Sequence, residues 1–278
     1  VRRMGDNSAS QKEFDELGVH PKEFVKVKSG ELMLDAWMIK PYNFDASKKY
    51  PVIIEVYGEP ASSTVQDVWS SSTWYQYMAS LGYIIVSIDN RGAAAPRGRE
   101  WRKCIYGEVV TISSEVQANG ILDLARQFPF IDTERIGITG WSGGGSQTLN
   151  CMFRYPKIFK TGIAIAFVAD QRLYDTIYQE GYMNTPQNNP EGYEKGSPIS
   201  YAENLEGNLL LIHGTGDDNV HYQNCEMLVN KLIEEEKIFY QVSYPMRTHS
   251  ISEREGTDVH LWKTIENFWL KFLPAGGK

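Results

Sequence analysis

Apolar positions along this chain follow two periods, and each change of period marks an element. Glu23-Phe24-Val25-Lys26-Val27-Lys28 alternates, Ser29-Gly30 interrupts, and Leu32 to Ile39 alternates again. Successive strand residues face opposite sides of a sheet, so two alternating runs around a short break predict a β-hairpin. Pro51 to Tyr57 and Tyr83 to Asp89 are mostly apolar throughout, the pattern of strands covered on both faces. Residues 69–81 between them read as a helix. A long charged loop from Asp89 to Tyr106 precedes a helix over 113–127, with Ile121, Leu122, Leu124, Ala125 and the adjoining Phe128 at helical spacing.

A β-branched run ending at Gly140 predicts a fifth strand, and Gln147 to Tyr155 a helix behind it. Strands follow at 162–167, 207–214 and Ile238 to Tyr244, with a helix between the last two over 221–236. The last helix, Thr257 to Phe272, carries Val259, Trp262, Ile265, Trp269 and Phe272 as its apolar stripe. Residues 1–20 read as a polar lead-in with one helical turn at Glu13 to Leu17. A hairpin followed by alternating strands and helices predicts an α/β fold, with eight mostly parallel strands and helices on both faces. At 278 residues, with no internal repeat, this is expected to be one domain over 1–278. The irregular stretch is 168–206, with Tyr174, Tyr178, Tyr182 and Tyr193 among three prolines. A connection this long predicts a lid or pocket wall.

Composition narrows the function. The net charge of −7 argues against nucleic acid, because phosphate binding needs a basic surface. No apolar run reaches the ~18–20 residues of a membrane span. Cys104, Cys151 and Cys225 have neither a paired framework nor metal-ligand spacing, and no metal or organic cofactor is expected. Cys151 and Cys225 fall on helices and read as buried small apolar residues. Val1 in place of Met, without a signal-like segment, reads as a mature or excised chain.

The chemistry centres on Gly140-Trp141-Ser142-Gly143-Gly144. Gly-x-Ser-x-Gly between a strand and a helix is the spacing of a nucleophile elbow. A serine on so tight a turn sits in strained backbone, so the residues two away must be small. The helix behind it offers unpaired N–H groups to a developing oxyanion. A close-packing turn is the plain alternative. A phosphate cradle lacks both Gly-Lys-Ser/Thr and G-x-G-x-x-G.

A serine nucleophile needs a histidine base, and the base an orienting acid, supplied in elbow folds by loops after later strands. The seventh strand is followed by His213-Gly214-Thr215-Gly216-Asp217-Asp218-Asn219-Val220-His221, the eighth by Tyr244-Pro245-Met246-Arg247-Thr248-His249-Ser250. His20 precedes the fold, His213 reads as a core or turn histidine, and His221 lies too near the acids. His260 sits in the last helix, which leaves His249 as the base. Spacing does not separate Asp217 from Asp218; one orients the base and the other is expected to cap the helix starting near Val220.

Gly140-Trp141-Ser142, the loop from His213 to His221, and Leu173-Tyr174-Asp175-Thr176-Ile177-Tyr178 together resemble the catalytic domain of the dipeptidyl-peptidase IV branch of the prolyl oligopeptidase family of serine peptidases. The similarity runs from Asp6 to Phe272. It implies an α/β-hydrolase fold and cleavage after proline or alanine through an acyl-enzyme, with a peptide as substrate. It makes Ser142 the nucleophile, Asp217 the acid and His249 the base. Tyr57 and the Gly143 N–H become the oxyanion donors, and Val168, Tyr174, Tyr178, Asn219 and Val220 the pocket for the proline ring.

The chain departs from the family pattern at four places. Gly143 stands where the family has a tyrosine, Gln171 where a tryptophan lines the pocket, Gly58-Glu59-Pro60 where Gly-Gly-Pro or Ala-Gly-Pro is usual, and Ser250 where glycine follows the histidine. These predict a wider, more polar pocket and a weaker proline preference. The resemblance also implies a preceding β-propeller, whose paired glutamates hold the peptide amine; its absence here predicts uncovered surface that favours self-association. Two other readings remain: a broad esterase or aryl-amidase using the same triad, and a catalytically weak domain without its propeller.

Overall fold

A computed structural model describes residues 5–18, 20–68 and 73–278. The lead-in forms helix α1, Ser8–Glu16, longer than the one turn expected, with every described side chain outside the core. Strands β1 (Glu23–Ser29) and β2 (Leu32–Ile39) pair antiparallel, Val27 opposite Leu34, as the alternation predicts. Strand β3 (Tyr50–Glu55) follows, then α2 (Trp74–Ser80) and β4 (Ile84–Ile88). The helix expected over 69–81 is thus observed from Trp74; positions 69–72 lie outside the described residues. The charged loop contains one short helix, α3 (Arg99–Lys103), before α4 (Thr111–Gln127).

Strand β5 (Ile131–Trp141) leads into α5 (Gly143–Arg154), which begins four residues earlier than the sequence suggests. Three consecutive glycines weaken a helix in isolation, but here they form its tightly packed first turn. The remaining strands are β6 (Thr161–Ile165), β7 (Asn208–Gly214) and β8 (Tyr240–Tyr244).

The stretch between β6 and β7 is more regular than its composition suggests. It holds a 3-10 turn at Gln171–Leu173, helices α6 (Thr176–Met183) and α7 (Pro190–Gly196), and a second 3-10 segment at Pro198–Asn204. Asp175 accepts from the Tyr178 N–H and Asn189 from the Gly192 N–H, capping these helices locally. Two turns of helix are too short for the 3.6-residue period to show, so only the caps betray them. Helices α8 (Gln223–Glu234) and α9 (Thr257–Phe272) complete the chain.

The eight strands lie in one sheet, in the order β1-β2-β4-β3-β5-β6-β7-β8. The pairings of β2 with β1 and β4 are antiparallel and the other pairings are parallel, which is the α/β-hydrolase arrangement. Both faces are buried. Val52 and Ile54 of β3, and Leu209 and Leu211 of β7, join a core with Leu124, Leu149, Phe153 and Leu228. The intervening Ile53, Leu210 and Ile212 join a second core, with Met78, Leu261, Ile265 and Trp269, on the other face. The buried stripe of α9 is Leu261, Ile265, Phe268 and Trp269; Val259 and Trp262, assigned to it from sequence, are 59% and 38% exposed. Ile265 and Trp269 belong to both stripes, and Leu261 and Phe268 take the buried places expected for Val259 and Trp262.

Candidate active site

Parallel strands bring their C-terminal ends to one edge of the sheet, and the chemical groups gather there. β3 ends beside Tyr57, β5 runs into Ser142, β7 leads to Asp217, and the turn after β8 carries His249.

Ser142 has φ 59° and ψ −122°, a conformation L-residues rarely hold. Such strain persists only where the surroundings over-determine it. Here the Ser142 N–H donates to the Ile165 carbonyl at 2.8 Å, and the Ser146 N–H to the Ser142 carbonyl at 3.1 Å. Glycines 140 and 144 let the Val56 carbonyl approach so closely that a Cβ on either would overlap it. The elbow is therefore wedged between the ends of β3 and β6.

His249 Nδ1 lies 2.8 Å from Asp217 Oδ2. The other carboxylate oxygen, Oδ1, accepts the N–H groups of Asn219 and Val220 at 3.0 and 2.9 Å, which closes the turn. Burial alone would push the Asp217 carboxyl up. Hydrogen bonds from His213 and His249, the charge of His249 and the Val220 N–H together outweigh burial and hold it well below the usual carboxylate range. Asp217 is 5% exposed, whereas Asp218 faces solvent. Neither aspartate caps α8, which starts only at Gln223 and has no side-chain cap. The Trp141 indole N–H donates to the His249 carbonyl at 2.9 Å, tying the histidine loop to the elbow.

His213, read from sequence as an ordinary core or turn histidine, contributes more. Its ring is fully buried, and Nε2 lies 2.9 Å from the Val220 carbonyl and 3.2 Å from Asp217 Oδ2. It braces the aspartate from behind. His221 is exposed, and His260 binds the Tyr244 hydroxyl at 2.8 Å.

On the elbow's other flank, Tyr57 lines the same cavity as Ser142, and burial together with the charge of Glu59 raises its pKa. A phenol held in its protonated form can donate a hydrogen bond beside Ser142. The Gly143 N–H opens α5, where first-turn amides have no intrahelical acceptor.

A small cavity of about 40 Å³ adjoins Ser142, lined by Tyr57, Glu59, Gly143, Val168, Gln171, Tyr174, Tyr178 and Gln179. It thus gathers Val168, Tyr174 and Tyr178 as expected. The two tyrosines pack edge to face at 5.6 Å. Asn219 reaches this wall only through its bond from the Tyr174 hydroxyl, 3.0 Å, and Val220 is fully buried in the Asp217 turn, so neither lines the cavity. Nor is the cavity wider for lacking a side chain at 143. A Cβ there would collide with the Glu59 side chain, which fills that space. Glu59 is 9% exposed and accepts from the Tyr178 hydroxyl at 2.7 Å; burial pushes its carboxyl up to about 7, against the lowering effect of that bond. Glu59 and Gln179 are the lining residues that motif reading missed. The paired departures at 59 and 143 were the signal, since a lost side chain next to a gained one suggests exchange of the same volume.

Residues 69–275 match the prolyl oligopeptidase family. The mouse protein Prolyl endopeptidase FAP is 33% identical over 272 residues, which are 96% of this chain and 35% of that protein. Probable dipeptidyl-aminopeptidase B of Ajellomyces dermatitidis is 40% identical over 219 residues, 76% of this chain and 23% of its own length. Among solved structures, Porphyromonas gingivalis dipeptidyl peptidase 4 superposes with a TM-score of 0.93 at 39% identity, covering 98% of this chain and 38% of that one. The chain thus spans little more than a third, or less, of each of these proteins.

Proposed function

Because the chain belongs to the prolyl oligopeptidase family, we propose that it is a dipeptidyl-peptidase-like serine hydrolase cleaving after proline or alanine. Ser142 Oγ attacks the scissile carbonyl carbon while His249 Nε2 takes its proton. Asp217, accepting from Nδ1, holds the imidazole in the right tautomer and stabilises the imidazolium that forms. The carbonyl oxygen, now an oxyanion, accepts from the Tyr57 hydroxyl and the Gly143 N–H. His249 returns the proton to the leaving amine, and the acyl-enzyme forms. Water, activated by the same histidine, then releases the acid product and regenerates Ser142.

The single observation that carries this reading is the 2.8 Å His249–Asp217 contact, tied by Trp141 to a strained serine that shares its cavity with Tyr57. Tyr174 and Tyr178 supply the aromatic wall a proline ring would meet. Glu59 and Gln171 make that pocket more polar, which supports a weaker proline preference than in the family at large.

A panel of Ala-Pro and Ala-Ala arylamides, with free and blocked amines, tests the proposal alongside short acyl esters. Hydrolysis of the arylamides, with alanyl at least equal to prolyl, is expected. A strong prolyl preference contradicts the pocket reading. Ester cleavage without amide cleavage contradicts the peptidase reading.

A further inference from the structure

Two histidines meet the Asp217 carboxylate, and the reaction uses only one of them. Oδ1 accepts the N–H groups of Asn219 and Val220. Oδ2 lies 2.8 Å from His249 Nδ1 and 3.2 Å from His213 Nε2. Each oxygen therefore faces two nitrogens, and only one of the four belongs to the base.

The fold sets how His213 stands. It is the last residue but one of β7 and fully buried, with the rings of Phe167 and Tyr222 edge to face at 5.4 and 5.6 Å. Its two nitrogens then fix the tautomer. Nε2 is 2.9 Å from the Val220 carbonyl, which can only accept, so this nitrogen carries the proton. Nδ1 is buried without a partner, and a proton there would have no acceptor. The Nε2–H thus bonds the Val220 carbonyl with its positive end against Oδ2.

Donors beside a carboxylate stabilise the anion and divide its charge among them. Burial pushes the Asp217 carboxyl up, and contact with His213, then with His249, brings it well below the usual range. An aspartate facing His249 alone would press more of its charge on one imidazole and hold the imidazolium too firmly. A base that must also return the proton works best when it holds that proton loosely near the working pH.

We propose that His213 is a positioning residue of the triad, whose Nε2–H shares Asp217 Oδ2 with His249 and weakens the pull of the aspartate on the base. This rests on the peptidase reading above and concerns how its base is set. His213 does not line the cavity beside Ser142 and acts through Asp217.

Removing that N–H should make His249 give up its proton only at higher pH. The other charged groups nearby are engaged elsewhere or exposed. Asp218 and His221 face solvent, Asp170 pairs with Arg172, and His260 bonds Tyr244. Arg247 bonds Thr257 and the Pro245 carbonyl, and Glu253 bonds Thr248. The phenols of Tyr222 and Tyr57 have pKa values raised chiefly by burial and stay protonated near neutrality. Glu59, raised to about 7 on the cavity side, is common to every variant, so differences between variants exclude it.

The experiment follows kcat/KM for one arylamide, and the rate of fluorophosphonate labelling at Ser142, from pH 5 to 9. It compares the native protein with His213→Phe, which keeps a ring between Phe167 and Tyr222 but has no N–H, and with His213→Gln, whose amide N–H reaches as far as Nε2. In His213→Phe the acid limb should move up by about half a unit, so that activity at pH 5.5 falls about threefold more than at pH 8.5. His213→Gln should return the limb toward its native place. Equal losses at both ends of the range, which packing alone would give, overturn the proposal, as does a limb that stays or moves down. Nitrogen-15 NMR of the native protein, with His213→Gln identifying the signal, needs neither turnover nor a folded phenylalanine variant. It should find the His213 proton on Nε2 at pH 8, and a proton on Nδ1 overturns the proposal. Absence of all arylamide turnover rejects the peptidase reading instead, and the labelling profile and the NMR then decide the role of His213 separately.

Discussion

The elbow and the pocket share Ser142 and Gly143 but are built on different terms. At the elbow, backbone meets backbone: the Val56 carbonyl presses on Gly140 and Gly144, and Ser142 is pinned to Ile165. Little there can change without moving a strand. In the pocket, side chains from distant segments share a volume, Glu59 from beyond β3 against an empty position at 143 and Tyr178 from α6. Such a volume can be exchanged between partners while the sheet stays in place. Reactive geometry is tied to the fold, and selectivity is adjusted by trading side chains around it.

That contrast is best broken at its rigid end. Ser142→Ala and His249→Ala should each remove about 10⁴-fold or more of kcat, with little further loss when combined, because triad members act as a unit. Asp217→Ala should cost about 10³-fold or more, whereas the exposed Asp218→Ala should stay within about threefold; steady-state kinetics on one arylamide checks all four. A larger loss at Asp218 would reverse the assignment. Tyr57→Phe removes one oxyanion donor and should lower kcat by about 10²-fold with KM little changed.

At the adjustable end, Glu59→Gln gives a stability readout. The folded pKa of about 7 lies above the ordinary glutamate value of 4.5, so stability from neutral Glu59 is fully present below about 4.5. It is lost as pH rises through 7, on the order of 3 kcal/mol in total. Glu59→Gln should therefore flatten this loss, its stability relative to the native protein improving between pH 5 and 8 in urea melts. An unchanged pH dependence would mean that Glu59 is better solvated than its packing implies. The smallest change in stability is expected from Ser142→Gly. Relief of the strained φ should outweigh the added chain entropy and raise stability by up to about 1 kcal/mol while turnover disappears. A lower melting temperature would remove strain from the account of the elbow.

The strands and the elbow could be read from sequence because their signals are local. Alternation located β1 and β2, and apolar runs located the doubly covered strands. Gly140-x-Ser142-x-Gly144 needs only five residues to state its geometry. The choice between Asp217 and Asp218 was not local. It depends on which carboxylate turns inward to His213 and His249, a matter of burial that adjacent, chemically identical residues do not reveal. The role of His213 was hidden for the same reason. Residues 168–206 were misread as irregular because their helices are two turns long and held by Asp175 and Asn189 caps. The pocket was least legible: Glu59 and Gly143 lie far apart in sequence, and their shared volume exists only after folding.

The triad claim is tested most directly by mapping where a fluorophosphonate attaches to the folded protein. The account predicts one adduct, on Ser142, abolished in His249→Ala and retained in Asp218→Ala. Labelling that leaves Ser142 untouched in folded protein, or that survives loss of His249 undiminished, would contradict it.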